Sequence, residues 1–186
     1  MEKIPFEEAK EQVELAMIRL ALMHLSYSKI LVQEFGEEKG KEFILKSIME
    51  YGRRVGKRAL EGHHDLSHYG VHSKYVYKEK EYIDARDIIS LIDEDDFDYS
   101  KLEIHGCILA KIFKEYNEED LGKLYCYIDA SNSMTTNPET KAIHTKCVLC
   151  GDDYCQITSV ETTEKERKDF EKLNPEWKNV DPLLLD

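Results

Sequence analysis

The densest group of reactive side chains lies in residues 121–160, which hold four of the five cysteines. Two runs rich in Val, Ile, Thr and Tyr, residues 142–149 and 154–160, flank the tetrapeptide Cys150-Gly151-Asp152-Asp153. Asp and Gly between two such runs predict a β-hairpin. Because paired strands lie about 5 Å apart, we expect the cysteines on or beside one small sheet.

Three thiols and one imidazole of this region have the spacing of a metal site. His144 and Cys147 approach the turn from one arm, Cys155 leaves it on the other, and Cys126 comes from the preceding segment. Together they would surround a tetrahedral ion, for which zinc is the best match. Four protein ligands leave no open position, so the zinc would be structural. The alternative is that these cysteines are small buried hydrophobic residues.

The hairpin resembles that of the vinyl-reductase-like ligand-binding domains in the run Cys147-x2-Cys150-Gly151-Asp152-x2-Cys155. Some of these domains hold zinc with an upstream Cys and a Glu-x2-Cys-x7-Cys hairpin. The matching positions here carry His144 in place of the Glu, and imidazole is an equally good zinc ligand.

A longer resemblance covers residues 99–160. It contains a β run, Cys107, an amphipathic helix, Asp120-Leu121-Gly122, Cys126-x2-Asp129, Asn137-Pro138 and the cysteine hairpin, in that order. This order resembles the L-2-amino-thiazoline-4-carboxylic acid hydrolase family, whose named activity opens a cyclic amidine-like ring. The resemblance implies a small-molecule hydrolase that acts on a carbon–nitrogen bond of an amino-acid-like substrate.

Cys107 is the candidate nucleophile, and the family pattern carries a Cys here. It lies between a strand and a helix, where the first backbone N–H groups of the helix lower the pKa of a thiol. The alternative is a core thiol at a Gly-Cys turn. Asp129 or His105 is the candidate acid or base.

Gly52 and Gly56 lie one turn apart on a predicted helix, despite a cost of about 1 kcal/mol each. Such a pair indicates either close packing of another helix or a ligand lying over the glycines. In the second case Arg54 or Arg58 would hold the carboxylate of the ligand. We place Asn137, at the Asn-Pro turn, in the same substrate site.

Composition limits the partners. A net charge of −12 argues against nucleic acid, because a polyanion would be repelled. The N-terminus lacks the apolar core of a signal peptide, and the longest apolar stretch falls well short of the ~20 residues that span a bilayer. We therefore expect a cytoplasmic protein without a membrane partner, and reduced thiols rather than disulfides.

The pattern of the whole chain predicts an α+β fold, with N-terminal helices packed on a small C-terminal antiparallel sheet, as in vinyl-reductase-like domains. Residues 1–186 are expected to form a single domain, with a mainly helical half (1–98), a half with the strands and cysteines (99–160), and a short helix and tail (161–186). Helices are expected at residues 5–35 and 37–60. The broad apolar stripe of the first helix favours a homodimer. The tail, including Trp177, is expected on the surface or against a partner subunit.

Within the first of these parts, we expect a histidine-rich loop or short helical turn at residues 62–72 and an edge strand or ordered loop at 74–82. A short helix is expected at 84–91 and a solvated acidic connection at 93–98.

Two alternatives to the hydrolase remain open. The first is a vinyl-reductase-like sensor or carrier, in which the metal is structural and the helical half encloses a ligand. The second is an iron–sulfur protein that uses Cys147, Cys150 and Cys155 with Cys107 or Cys126, although this spacing matches no ferredoxin.

Overall fold

Two long helices form the N-terminal part of the protein. The computed structural model describes residues 3–61, 82–84 and 102–185. Helix α1 (Phe6–Phe35) and helix α2 (Glu37–Leu60) match the predicted bounds almost residue for residue. Gly36 joins them with a φ of 80°, a left-handed conformation that glycine adopts without a Cβ penalty. The expectations for residues 62–72, 74–81, 85–91 and 93–98 lie outside the described residues.

The short strand β1 (Lys3–Pro5) pairs antiparallel with β2 (Tyr82–Asp84). Asp84 therefore belongs to a strand, although the sequence pattern predicted the start of a helix there.

Helix α4 (Glu119–Thr136) packs against the glycine face of α2. It follows strand β3 (Leu102–Ile104) and helix α3 (Ile108–Glu115). A Cβ placed on Gly52 would lie 2.5 Å from the Cβ of Ser131, and one placed on Gly56 would lie 2.7 Å from the Cβ of Thr135. The glycines therefore serve close helix packing, and α4 fills the space that a ligand would have needed.

The cysteine hairpin is confirmed, with different strand ends. Strand β4 (Thr140–Lys146) and strand β5 (Cys155–Glu161) pair antiparallel, and β3 adds to the other edge of β5, giving the order β3-β5-β4. Strand β4 ends before Cys147 because Val148–Cys150 forms a 3-10 turn. The α+β class, helices first and a small antiparallel sheet towards the C-terminus, is therefore correct.

The C-terminal tail belongs to the core of the same chain. Helix α5 (Glu164–Glu171) begins with a capping box of Thr163 and Glu166. Two 3-10 segments follow, Pro175–Val180 and Pro182–Leu185. Trp177 is 1% exposed, and its Nε1 donates to Sδ of Met134 at 3.4 Å. The expectation of a surface tail with an exposed Trp177 is wrong, because the tail covers α4 and the sheet.

Helix α1 leaves an apolar face exposed. Its large exposed apolar residues are Leu15, Met23, Tyr27, Ile30 and Phe35. Within the described residues, the stretch Glu11–Phe35 is long and apolar enough to cross a membrane by length and composition. The expectation that the longest apolar stretch falls well short of a membrane span does not hold for mean hydropathy, although Arg19 and Lys29 interrupt the stretch. Core helices pass the same test, so the absence of a membrane partner stays a prediction, as does the homodimer.

Candidate functional site

His144 lies between two carboxylates and is the centre of the candidate site. It is 5% exposed on strand β4. Its Nδ1 and its backbone N–H both meet Oδ2 of Asp181 at 2.8 Å. On the other side of the ring, Nε2 lies 3.8 Å from Oδ2 of Asp129 on helix α4. Asp181 therefore fixes the ring, and Nε2 is directed at Asp129.

The two carboxylates control the charge of His144. Burial by itself lowers the pKa of the imidazole, but the hydrogen bond to Asp181 and the negative charges of Asp129, Asp181 and Cys147 raise it above its ordinary value of 6.5. The raised pKa means that His144 keeps its proton to a higher pH than a free histidine does. Asp129 is the more accessible carboxylate, since its side chain is 22% exposed and that of Asp181 is 2% exposed.

Three of the predicted site cysteines meet beside His144. The thiols of Cys126, on α4, and Cys155, on β5, hydrogen bond to Cys147. These two bonds and the charge of His144 lower the pKa of Cys147, which is fully buried. The same bonds, together with burial, raise the pKa of Cys126 and of Cys155. Cys147 is thus the most acidic thiol of the cluster.

The predicted zinc ligands are neighbours but do not form a metal site as they are arranged. Across residues 3–61, 82–84 and 102–185, no group of three or more His, Cys, Asp or Glu side chains is placed to hold a metal ion. His144 directs Nε2 towards Asp129, while the thiols of Cys126 and Cys155 are directed at Cys147. Binding of zinc by Cys126, His144, Cys147 and Cys155 stays a prediction, and so does the iron–sulfur alternative.

Cys107 lies at the start of α3, as predicted, but its pKa moves in the opposite direction. Its sulfur accepts the backbone N–H of Ala110 at 3.5 Å. Burial nevertheless raises the pKa of Cys107 to about 11, outweighing the N–H groups of Ala110 and Leu109 that lower it. Cys107 is therefore a protonated thiol at neutral pH. Its role as the nucleophile stays a prediction.

His105 faces a different set of residues. Its ring stacks on Tyr154, with centroids 4.8 Å apart. Nζ of Lys146 donates to the hydroxyl of Tyr154 at 2.7 Å and lies 4.2 Å from its ring centroid. His105, Tyr154 and Lys146 thus form a small aromatic and cationic group beside the hairpin.

The predicted substrate-binding residues lie away from the glycine face that motivated them. Arg54 is on the exposed side of α2, where its NH2 lies 3.1 Å from Oε1 of Glu50. Arg58 is exposed one turn further along the same helix. Asn137 ends α4, and its Oδ1 accepts the backbone N–H of Glu139 at 3.1 Å. Their binding of substrate stays a prediction.

Sequence reasoning missed Asp181. The run Val180-Asp181-Pro182 stands among apolar residues near the C-terminus, and an acid in such surroundings is the available signal for a buried carboxylate. Asp181 is 1% exposed and contacts His144 across 37 positions of sequence. Among the described residues its Oδ1 has no hydrogen-bond partner, so His144 provides the compensation for its charge.

The fold and the site define an α+β protein with a buried carboxylate–imidazole–carboxylate arrangement beside a cluster of thiols. The family model of L-2-amino-thiazoline-4-carboxylic acid hydrolase matches residues 10–158, more than half of the chain. The chain belongs to this family. Among the curated proteins and the solved structures, none matches the chain.

Proposed function

We propose that the protein hydrolyses a cyclic amidine, such as the ring of a 2-aminothiazoline carboxylate, with His144 and Asp129 as its acid–base pair. Membership of the hydrolase family supports the reaction class. The observation that carries the assignment of residues is His144 held between Asp181 and Asp129, at 2.8 Å and 3.8 Å. A residue that moves protons needs such a fixed position and a tuned pKa.

The reaction needs a proton acceptor and a proton donor. Asp129 takes a proton from water, and the water oxygen bonds to the amidine carbon. At the same time the imidazolium of His144 gives its proton to the ring nitrogen, as the double bond between that nitrogen and the carbon becomes a single bond. The neutral His144 then takes the proton of the new hydroxyl, the carbon–oxygen double bond forms and the bond from that carbon to the ring nitrogen breaks. Protonated Asp129 gives its proton to this nitrogen, which leaves as an amine, so both residues return to their starting forms. Asp181 holds the ring in position through its contacts with Nδ1 and the backbone N–H of His144, as the buried Asp orients the His of a catalytic triad.

Two carboxylate variants test this proposal against the substrate L-2-amino-thiazoline-4-carboxylate. Asp129→Asn and Asp181→Asn should each lower kcat by about 100-fold or more, the usual contribution of general acid–base catalysis. The matched control is Asp120→Asn, because Asp120 lies on the same helix α4 with its side chain 79% exposed. Unchanged turnover in both site variants, or no turnover by the unmodified protein, would refute the proposal.

The pH profile separates proton transfer from a structural role. The acid form of His144 is lost as the pH rises through its raised pKa, so activity should fall on the alkaline side. Asp181→Asn removes a charge that raises the pKa of His144, so the alkaline limb of the pH–activity profile should move to lower pH. A limb that stays in place would show that His144 is not the acid.

Product analysis identifies the broken bond. A new amine group follows cleavage of the ring carbon–nitrogen bond, whereas a new thiol, detected with a disulfide reagent, follows cleavage of the carbon–sulfur bond. The thiol result would contradict the carbon–nitrogen assignment.

Two serine variants test for a covalent mechanism. Cys107 is the nucleophile predicted from the sequence, but Cys147 is the more acidic thiol. Full activity of Cys107→Ser and Cys147→Ser would support direct attack by water. Loss of activity in one of them alone, with the fold retained, would assign the nucleophile.

A role as a sensor or carrier is the second candidate. It predicts ligand-induced thermal stabilisation without any turnover, because a ligand that binds the folded state stabilises it by linkage.

A further inference from the structure

A pocket of about 530 Å³ lies between α1 and α2, and the described residues that line it do not include Asp129, His144 or Asp181. Small-molecule sites commonly have volumes of roughly 300–1,000 Å³ and are apolar with a few polar groups. Its floor and walls include His24, Ser28 and Tyr125, and Tyr125 belongs to α4. The described residues that line it are Leu20, Met23, His24, Tyr27, Ser28, Ile30, Leu31, Ile44, Ser47, Ile48, Tyr51 and Tyr125.

Within the described part of the chain, the pocket lining contains no Asp, Glu, Lys or Arg, although 34% of all residues are of these types. Burial lowers the pKa of His24 below its ordinary 6.5, against the hydrogen bond to the carbonyl of Leu121 that raises it, so the ring is neutral at neutral pH. An ionised ligand would lose its hydration here without gaining a counter-charge.

Rings form one side of the pocket. The ring centroids of His24 and Tyr125 are 5.3 Å apart in an edge-on arrangement, and those of Tyr51 and Tyr125 are 6.3 Å apart. Rings in such arrangements favour a further aromatic ring in contact with them. Ser28, 2% exposed, places its hydroxyl 3.5 Å from Nε2 of His24 at the same end.

The mouth of the pocket is open and apolar. Met23 is 52% exposed, Tyr27 68% and Ile30 56%, and all three line it. A flat helix of a second copy would cover this rim but would leave the concave space beneath it empty. A compact molecule fills that space, and the polar groups at the floor supply one hydrogen-bonding end.

We propose that this pocket binds an uncharged aromatic small molecule with one hydrogen-bonding group. Such a ligand differs from the carboxylate substrate proposed for His144, so this is a second site. Binding here does not depend on hydrolysis at His144, and each can fail without the other.

Fluorescence titration with the neutral probe 1-N-phenylnaphthylamine tests this site on the full chain. We expect saturable binding of one probe per chain, displaced by indole. Indole-3-acetate should compete about tenfold more weakly or worse, because its carboxylate meets no cation in the pocket. No saturable binding, or equal competition by the two indoles, would overturn the proposal.

Two filling variants locate the probe. Met23→Trp and Ser47→Trp each fill the mouth, from α1 and α2, and should weaken binding about tenfold or more. Both positions are exposed, so the fold should tolerate them. The control is Leu15→Trp, on α1 at 45% exposure and outside the lining, which should bind like the unmodified protein.

Unchanged affinity in both filling variants would place the probe elsewhere. An affinity that falls as the protein concentration rises would show that a second copy covers the mouth. Either result would overturn the proposal.

Discussion

Gly52→Ala adds one methyl group at the closest approach of α2 and α4. The new Cβ would lie 2.5 Å from the Cβ of Ser131 and 2.6 Å from its Oγ. Carbon atoms in contact need about 3.5–4.0 Å, so one helix would have to move by about 1 Å. Ser131 has no free space for this movement, because it is 0% exposed and its Oγ donates to the carbonyl of Met49 at 2.6 Å.

Two opposing effects determine how much Gly52→Ala changes the free energy of unfolding. Alanine gains about 1 kcal/mol over glycine in a helix interior. Overpacking of a core costs about 1–3 kcal/mol, and a contact to a fixed Cβ belongs to the upper part of this range. The free energy of unfolding should therefore fall by about 1–2 kcal/mol. In a domain of this size, that lowers Tm by about 2–8 °C.

Thermal and urea unfolding of four variants measure this effect: Gly52→Ala, Ser131→Gly, the double variant of the two, and the control Lys57→Ala. Gly52→Ala should lose stability, while Lys57→Ala, at an exposed position of α2, should change it by no more than about 0.5 kcal/mol. The double variant Gly52→Ala with Ser131→Gly removes the clashing atoms. It should be more stable than the sum of the two single changes by about 1 kcal/mol. A Gly52→Ala protein as stable as the original would refute close packing at this position.

Three further outcomes follow from the described contacts. Lys141→Met removes the ammonium group 2.5 Å from Glu166 and should lower the free energy of unfolding by roughly 3 kcal/mol. Burial alone raises the pKa of Glu166, but Lys141 and Thr163 lower it, so the pair stabilises the fold above the unfolded-state pKa of Glu166 and this stabilisation is lost as the pH falls through the folded-state pKa. The variant should lack this contribution to the pH dependence of Tm. Cys150, the exposed thiol among the five, should react first with a maleimide, as mass spectrometry after brief labelling would show; labelling of Cys147 before Cys150 would contradict the burial of the cluster. If the four predicted ligands hold structural zinc, freshly purified protein should contain one zinc per chain and a chelator should lower its Tm, whereas metal-free protein unaffected by chelator would exclude the site.

The homodimer predicted from the first helix also has a direct test. The exposed apolar residues of α1 outside the pocket lining, Leu15 and Phe35, would lie in the contact between two copies. Sedimentation velocity at micromolar concentration should then give the mass of a dimer, and Phe35→Lys should shift it towards the monomer. A monomer at these concentrations would contradict the prediction.

Helices α1 and α2 were predictable because the periodicity of their apolar residues and the signals at their ends both point to the helices that the structure contains. Apolar residues recur every three or four positions in α1 and α2, and Gly36 stops the first helix where it is expected. The capping box of Thr163 and Glu166 was recognisable for the same reason, since all of its signals lie within four residues. Local patterns suffice where neighbours in sequence are also the interacting partners.

The partner of His144 was not predictable in this way. Asp181 reaches it from a tail with two prolines, and no spacing rule connects residues 37 positions apart. The burial of Trp177 is the related error: the prolines suggested an irregular surface segment, but they lie in 3-10 turns that place Trp177 and Val180 in the core. Long-range contacts of this kind depend on how the elements pack, which the local pattern does not determine.

Helix α4 shows why packing, rather than propensity, decides this part of the fold. Its last two turns are rich in Ser, Asn and Thr, which favour caps and turns over helix interiors. The same small polar residues allow a close approach to its neighbours: Ser131 meets the glycine face of α2, and Ser133 reaches the carbonyl of Thr140 at 3.5 Å. One turn before, the hydroxyl of Tyr127 donates to the carbonyl of Lys178 at 2.9 Å. Residues that weaken an isolated helix are therefore those that attach α4 to α2, to the sheet and to the tail, and this attachment holds Asp129 opposite His144.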